Sequence, residues 1–405
     1  MLAEGSRQSW GGFAVLVVTV MFCFAVSSVP TTLYPLYIQA WQAPPSAIGD
    51  VFAVYMVAVL LTLLCLGRVS DTYGRLRVVL AALGCVLTGL VLSALSVNIT
   101  MLLAARVITG LGNGLLTTAA TLALIDAHPT HDRRFASIAV ASGIAVGFGL
   151  GPLLGGLAAQ MDFYPLILAY VPAFCVISVC AFGVWRYMRY AKTAVAFVRK
   201  PLSLKPELSL PGGADRGSFV LACLGGFANY ATGCCYFSLL PSLMINALPW
   251  KGPLVMGIAF LPMAFICLAI QISQRNVEPF KGMGLGMLAS VMAATCMIVG
   301  ILPAGTPLAL FAGVVFLSIG QGYSFMCSAT IANLTADPAR RAGNMSTYFL
   351  CAYLGASLPP MIVGRVADRI GLADALTVYG VLLIAGVAVL ASLSFRLSGR
   401  LAGNR

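Results

Sequence analysis

Charge is what this sequence has least of. Asp and Glu together supply only twelve of 405 residues and charged residues of either sign 9%, while 60% are hydrophobic. A soluble domain carries about a quarter of its residues as charges, so water is not the main solvent of this chain. Histidine is almost missing too. The two present, His128 and His131, share one short polar connector with no zinc-ligand spacing around them, so no metal site is expected. A Walker-type phosphate loop is absent, which excludes direct ATP drive, and no nucleophile-base constellation supports hydrolytic or redox chemistry. The chain is therefore not expected to be an enzyme or to need a cofactor. The net charge of +12 does not signal nucleic acid either, because the basic residues sit in short connectors between apolar runs instead of clustering on one polar face. A receptor reading lacks the soluble domain it would require.

What fills the chain is apolar runs of about twenty residues, the length needed to cross about 30 Å of hydrocarbon. Spans are predicted near residues 12–37, 47–67, 78–97, 99–125, 136–160 and 165–185, then 218–244, 253–272, 282–303, 306–333, 342–364 and 373–395. The longest polar stretch, 186–217, holds Arg189, Lys192, Arg199, Lys200, Lys205 and Arg216 with the breakers Pro201, Pro206 and Pro211. It reads as a linker between halves 1–185 and 218–405. With strict alternation, twenty of the 24 Lys and Arg fall on the linker side. Only Lys251, Arg365 and Arg369 fall opposite, and Arg106 lies within a span. Positive charge is retained on the cytoplasmic side, so the expected localisation is the cell inner membrane, multi-pass, with linker and both termini cytoplasmic. Before the first span stands a lone Arg7 and no small-residue cleavage site, so a retained span is expected there. The twelve cysteines lie mostly inside apolar runs, for example Cys23, Cys65, Cys85, Cys175 and Cys180, and are read as reduced packing residues.

The two halves repeat. One ungapped offset of 208 residues pairs Gly49 with Gly257, Gly74 with Gly282, Gly112 with Gly320, Gly114 with Gly322, Arg133 with Arg341, Gly147 with Gly355, Pro152 with Pro360 and Gly156 with Gly364. Two six-helix bundles related by a parallel repeat imply an all-α membrane protein with a substrate pathway between the bundles.

Three local patterns carry mechanism. After the second span, Gly67-Arg68-Val69-Ser70-Asp71-Thr72-Tyr73-Gly74-Arg75-Leu76-Arg77 combines a glycine that permits close helix approach, an acid able to meet a helix N-terminus and an arginine placed for a carboxylate. This G-x-x-x-D-x-x-G-R-x-[RK] form resembles the signature of the major facilitator superfamily. The resemblance implies a conformational latch of Gly67, Asp71, Gly74, Arg75 and Arg77, with Asp126 as partner of Arg75. The second half's counterpart, from Gln274 to Gly282, has largely lost the pattern. The fourth span begins Arg106-Val107-Ile108-Thr109-Gly110-Leu111-Gly112, similar to the family's R-x-x-x-G-x-G motif. Behind that arginine Thr109, Asn113, Thr117 and Thr121 recur every fourth residue, a polar stripe that fits either helix-helix hydrogen bonding or a cavity lining. In the fifth span Gly143, Gly147, Gly151 and Gly155 recur at the same spacing, and Gly147-Phe148-Gly149-Leu150-Gly151-Pro152-Leu153-Leu154-Gly155-Gly156 resembles the mark of the exporter, drug:proton antiporter, branch.

Other cavity candidates are Tyr34, Asn229, Tyr236 and Gln321, with Tyr55 and Tyr353 as aromatic walls. Such an uncharged, aromatic lining suits amphipathic or neutral solutes. No carboxylate occupies the first span. Asp50 and Asp126 are the acids that approach the bilayer, and Asp50 is read either as a helix cap or as a proton site. The expectation is a monomeric exporter in the lipid bilayer, moving a small molecule by alternating access in exchange for protons. An uptake permease or uniporter is the alternative.

Overall fold

The computed structural model describes residues 10–130, 133–161, 164–190, 205–213, 215–247, 252–274, 276–302 and 305–398. His131, Arg7, Lys192, Arg199, Lys200, Pro201, Lys251, Arg275, Arg400 and Arg405 fall outside them. Among the described residues the chain is helical with no strand, and twelve helices are long and apolar enough to cross a membrane. In the first half these are α1 (Trp10–Trp41), α2 (Pro45–Leu66), α3 (Arg75–Ala94), α4 (Ile99–Ala127), α5 (Arg133–Ala159) and α6 (Pro165–Tyr190). The second half holds α7 (Asp215–Ala247), α8 (Pro253–Ser273), α9 (Pro279–Ile301), α10 (Pro307–Leu334), α11 (Arg341–Ile370) and α12 (Leu372–Arg396). A backbone in hydrocarbon must satisfy its own polar groups, which leaves helices as the economical answer to such a sequence.

Prolines mark where these helices start or tighten. Pro45, Pro165, Pro253, Pro279 and Pro307 stand at first helical positions, where a missing N–H costs nothing. Within α1 a 3-10 stretch from Val29 to Leu33 carries Pro30 in its first turn, and α8 breaks at Phe260 before Pro262. Two helices outrun the sequence expectation. α6 continues to Tyr190 and α11 to Ile370, so Arg365 and Arg369 sit on the last turns of α11 and not in a connector. The arginine-rich connector after α2 also holds a short helix, Val69–Tyr73, and turns into α3 at Gly74 with φ of +93°, a conformation that glycine takes without strain.

Neighbouring helices approach through small residues, as lipid-embedded bundles require. In α4, Gly110 and Gly114 lie against Tyr55, Ala58 and Thr62 of α2, while Gly112 lies against Ala82 and Val86 of α3. In α5, Gly147, Gly151 and Gly155 form one face against α1, where an added Cβ at Gly155 would lie 2.5 Å from the Val29 carbonyl oxygen. All twelve cysteines are free thiols.

Candidate functional site

The two halves meet through α2 against α11 and α5 against α8. On the face opposite the linker, the far face, both crossings are backbone to backbone. A Cβ at Gly257 would lie 2.6 Å from the Pro152 carbonyl oxygen and one at Gly156 2.5 Å from that of Pro253. The other crossing repeats the arrangement, with Gly49 against the Pro360 carbonyl and Gly364 against Pro45 and Ser46. Each glycine and its proline partner are mapped onto the other crossing by the 208-residue offset. The α5 motif Gly151-Pro152-x-x-Gly155-Gly156 therefore serves two neighbours: Gly151 and Gly155 face α1, while Pro152 and Gly156 face α8.

Polar contacts close the same face. Arg365 donates to Asp50 through Nη1 to Oδ1 at 2.9 Å and Nη2 to Oδ2 at 3.3 Å, and the Ser46 amide donates to Asp368 Oδ1 at 3.0 Å. Asp50 does not cap its helix: the N-cap position is Pro44, and the carboxylate reaches across to the other half. Sequence reading missed this pair because Arg365 was assigned to a loop.

On the linker face the contacts differ. Arg75 pairs with Asp126 and donates to the Leu122 carbonyl at 3.1 Å, all within the first half. Asp71 holds no hydrogen bond or ion pair through its carboxylate among the described residues, and Arg77 is exposed. The close helix approach expected at Gly67 is not made here, since the nearest atom of another helix to an added Cβ is Thr118 Cγ2 at 3.8 Å. A cavity of about 140 Å³ separates the end of α2 from the start of α11. Linker residues cross it. Arg68 donates two bonds to Glu207, at 3.0 and 2.8 Å, and two residues on, Ser209 is held by Asn344 and Thr347 of α11. Hydrogen bonding to Arg68, then its charge, holds the Glu207 carboxyl below the ordinary glutamate range and raises Arg68. Neither Glu207 nor Ser209 stood out in the sequence.

Between the faces the polar candidates divide. Arg106 is 3% exposed; Nη1 donates to the Ser27 carbonyl at 2.9 Å and the guanidinium lies 4.5 Å from the Tyr55 ring centroid. Asn113 donates to Ser27 Oγ at 2.5 Å and to Tyr55 Oη at 2.8 Å. Thr109 instead turns toward Gly89 of α3, and Thr109 and Thr117 donate to the carbonyls four residues back in their own helix. The expected stripe is thus split: Arg106 and Asn113 face α1 and α2, and Thr109 packs on α3. In the second half Gln321 donates to the Asn229 carbonyl at 2.7 Å. Tyr34 and Tyr236 are fully buried, and among the described residues their hydroxyls meet no hydrogen-bond partner. Aromatic rings meet across the halves, Phe237 with Phe52 at 6.4 Å and with Phe148 at 6.2 Å.

The chain is 28% identical over 326 residues to a triacylglyceride transporter of Mycobacteroides abscessus, covering 78% of this chain and 54% of that one. It is 26% identical over 289 residues to multidrug resistance protein 3 of Bacillus subtilis, covering 71% and 50%. It spans about half the length of these relatives. Among solved structures, a bacterial homologue of the human lysosomal transporter Spinster, inward-facing and unoccupied, superposes with a TM-score of 0.72 at 15% identity over 98% of both chains. A peptide transporter POT in complex with sulfate gives 0.76 at 13% identity over 95% and 94%. The model of the Major Facilitator Superfamily matches residues 15–360, and with its twelve-helix fold and half-to-half crossings this chain belongs to that superfamily of membrane transporters.

Proposed function

We propose that this transporter exports a small amphipathic solute by alternating access, in exchange for protons, with residues 1–185 and 218–405 rocking about the cavity between them. The observation that carries the reading is the doubled glycine-proline crossing on the far face. A seal built twice, on symmetry-equivalent helices, lets two rigid halves separate there as units. The exporter direction rests on the α5 motif that forms one side of that seal, and on likeness to a relative named for multidrug resistance. The amphipathic cargo rests on the aromatic rings that meet between the halves and on the relatives named for triacylglyceride. The excess of Lys and Arg on the linker face supports a cytoplasmic linker and an inner membrane, which makes this conformation closed to the outside. The protein acts as a monomer in the bilayer.

In the opposite state the latch residues Asp71, Arg75 and Asp126 draw the linker-face ends together. Asp50 is the proton site of this scheme: a proton arriving from outside cancels its attraction to Arg365 and favours opening of the far face. Transport in proteoliposomes with and without an imposed pH gradient tests the reading. Outward accumulation that collapses with the gradient, and an Asp50→Asn protein that loses uphill export but keeps downhill exchange, are the expected results. Bidirectional flux insensitive to the gradient would replace it with a uniporter.

A further inference from the structure

Arg106 is a buried charge with no acidic partner among the described residues. The ion pairs among the described residues are Arg68 with Glu207, Arg75 with Asp126 and Arg365 with Asp50, and none involves Arg106. One carbonyl and one aromatic face hold its guanidinium, and Nε has no hydrogen-bond partner. A guanidinium does not shed its proton to escape burial, and a charge kept out of water without a counter-charge is costly. Its Nη1 is occupied by Ser27, which leaves the Nε side of the fork, an edge that binds oxyanions side-on. Beside it stands Tyr34, whose buried hydroxyl approaches the Arg106 guanidinium itself and, among the described residues, makes no hydrogen bond to any other group. Asn113 Oδ1 is also unpartnered, but it is an acceptor and takes no part in holding an anion. The Tyr55 ring that covers Arg106 also lies within electrostatic reach of Tyr230 and Tyr353 of the second half, so it stands on the side from which the pathway between the halves is reached.

We propose that Arg106 and Tyr34 form a recognition site for an acidic head group, so that the cargo is an amphiphile carrying one carboxylate, sulfonate or phosphate on an apolar body. The apolar part packs among the aromatic rings between the halves, and the head group completes the Nε side of the fork. This rests on the transport reading of the same cavity and narrows it from amphipathic to anionic.

The probes are hexanesulfonate, hexanol and hexyltrimethylammonium, which share a six-carbon body and differ in head-group charge. Binding to the purified full chain is followed by thermal shift and by tryptophan fluorescence. Hexanesulfonate is expected to bind about ten-fold tighter than hexanol, the scale of one charge-assisted hydrogen bond, and hexyltrimethylammonium more weakly than either. Arg106→Gln should bring sulfonate and alcohol to equal affinity. Tyr34→Phe, which removes only a hydroxyl, should weaken the sulfonate a few-fold and leave hexanol unchanged, and it keeps the test alive if Arg106→Gln does not fold. Equal affinity for the three probes in the unaltered protein, or an anion preference that survives Arg106→Gln, overturns the acidic site and leaves the transport reading standing. No binding of any probe together with no flux in proteoliposomes overturns both.

Discussion

The far-face seal contains an ion pair and a steric crossing, and their weights differ. Asp50 and Arg365 are 28% and 54% exposed as side chains, and exposed pairs contribute about 0.2–1 kcal/mol. Removing the charge with Asp50→Asn is therefore expected to change the closed-to-open ratio by at most about five-fold. Gly257→Ala acts differently. Its new Cβ would sit 2.6 Å from the Pro152 carbonyl oxygen and 2.7 Å from the Leu153 Cα, both backbone atoms, where contacts under 3.0 Å are essentially never seen. Overpacking of this kind costs about 1–3 kcal/mol, a factor of about 5 to 150, and only in the closed state. The better helix propensity of alanine, about 1 kcal/mol, applies to α8 in both states and leaves their ratio alone. The readout is labelling of Ser46→Cys from the far side by a membrane-impermeant maleimide, in a background with the native cysteines replaced. Ser46 is suited because its amide is tied to Asp368 and its Cα packs against Gly364. Gly257→Ala should accelerate labelling more than Asp50→Asn. A larger effect from Asp50→Asn, or none from Gly257→Ala, would refute the assignment of the seal to backbone packing.

Other outcomes are expected. Asp71→Asn should insert normally yet transport poorly if the proposed latch holds, since its carboxylate makes no hydrogen bond or ion pair among the described residues in this state; wild-type flux from a well-expressed protein would remove it from the latch. Glu207 is held below the ordinary glutamate range, so its pair with Arg68 is present above that range and is lost only as pH falls through the depressed value. Protease cleavage within the linker should therefore rise only at pH below the usual glutamate range, and in Glu207→Gln should already be raised at neutral pH and converge with the unaltered protein in acid. Gly155→Val should lower the thermal unfolding midpoint of the purified protein by wedging α5 from α1, with about 1–3 kcal/mol of overpacking, and an unchanged midpoint would contradict the packing described.

The helices were legible because a bilayer imposes one length and one backbone solution, and the starts at Pro45, Pro253 and Pro307 follow from proline's missing donor. The residues that the repeat pairs include Gly49, Gly156, Gly257 and Gly364 of the far-face crossings, although the offset itself pointed only to two bundles with a pathway between them. Their neighbours could not be read, because an offset in sequence says which positions are equivalent and not which ones touch. The pair of Asp50 with Arg365 was hidden by a helix end: hydropathy falls where charges begin, while α11 keeps its backbone bonds for another turn and a half. The strap from Arg68 through Glu207 to Ser209 left no periodic trace, because extended segments held by side chains have none. Thr109 and Thr117 looked alike in a four-residue count, yet a helix turns 3.6 residues per revolution, and that drift sends one of them to α3.

The crossings have the form of an isologous dimer interface, in which one patch meets its own copy about a two-fold axis and every contact occurs twice. Gly49 on Pro360 and Gly257 on Pro152 are such a pair of copies. In a molecule of two identical subunits a change in that patch would be felt at both places at once, whereas in a single fused chain each copy is free to change alone. The second half has used that freedom at the linker face, where Gln274 to Gly282 has lost the latch pattern, but not at the far face, where both copies retain glycine against a proline carbonyl. A fused repeat of this kind can keep its far-face crossings symmetric while its two linker-face ends become different.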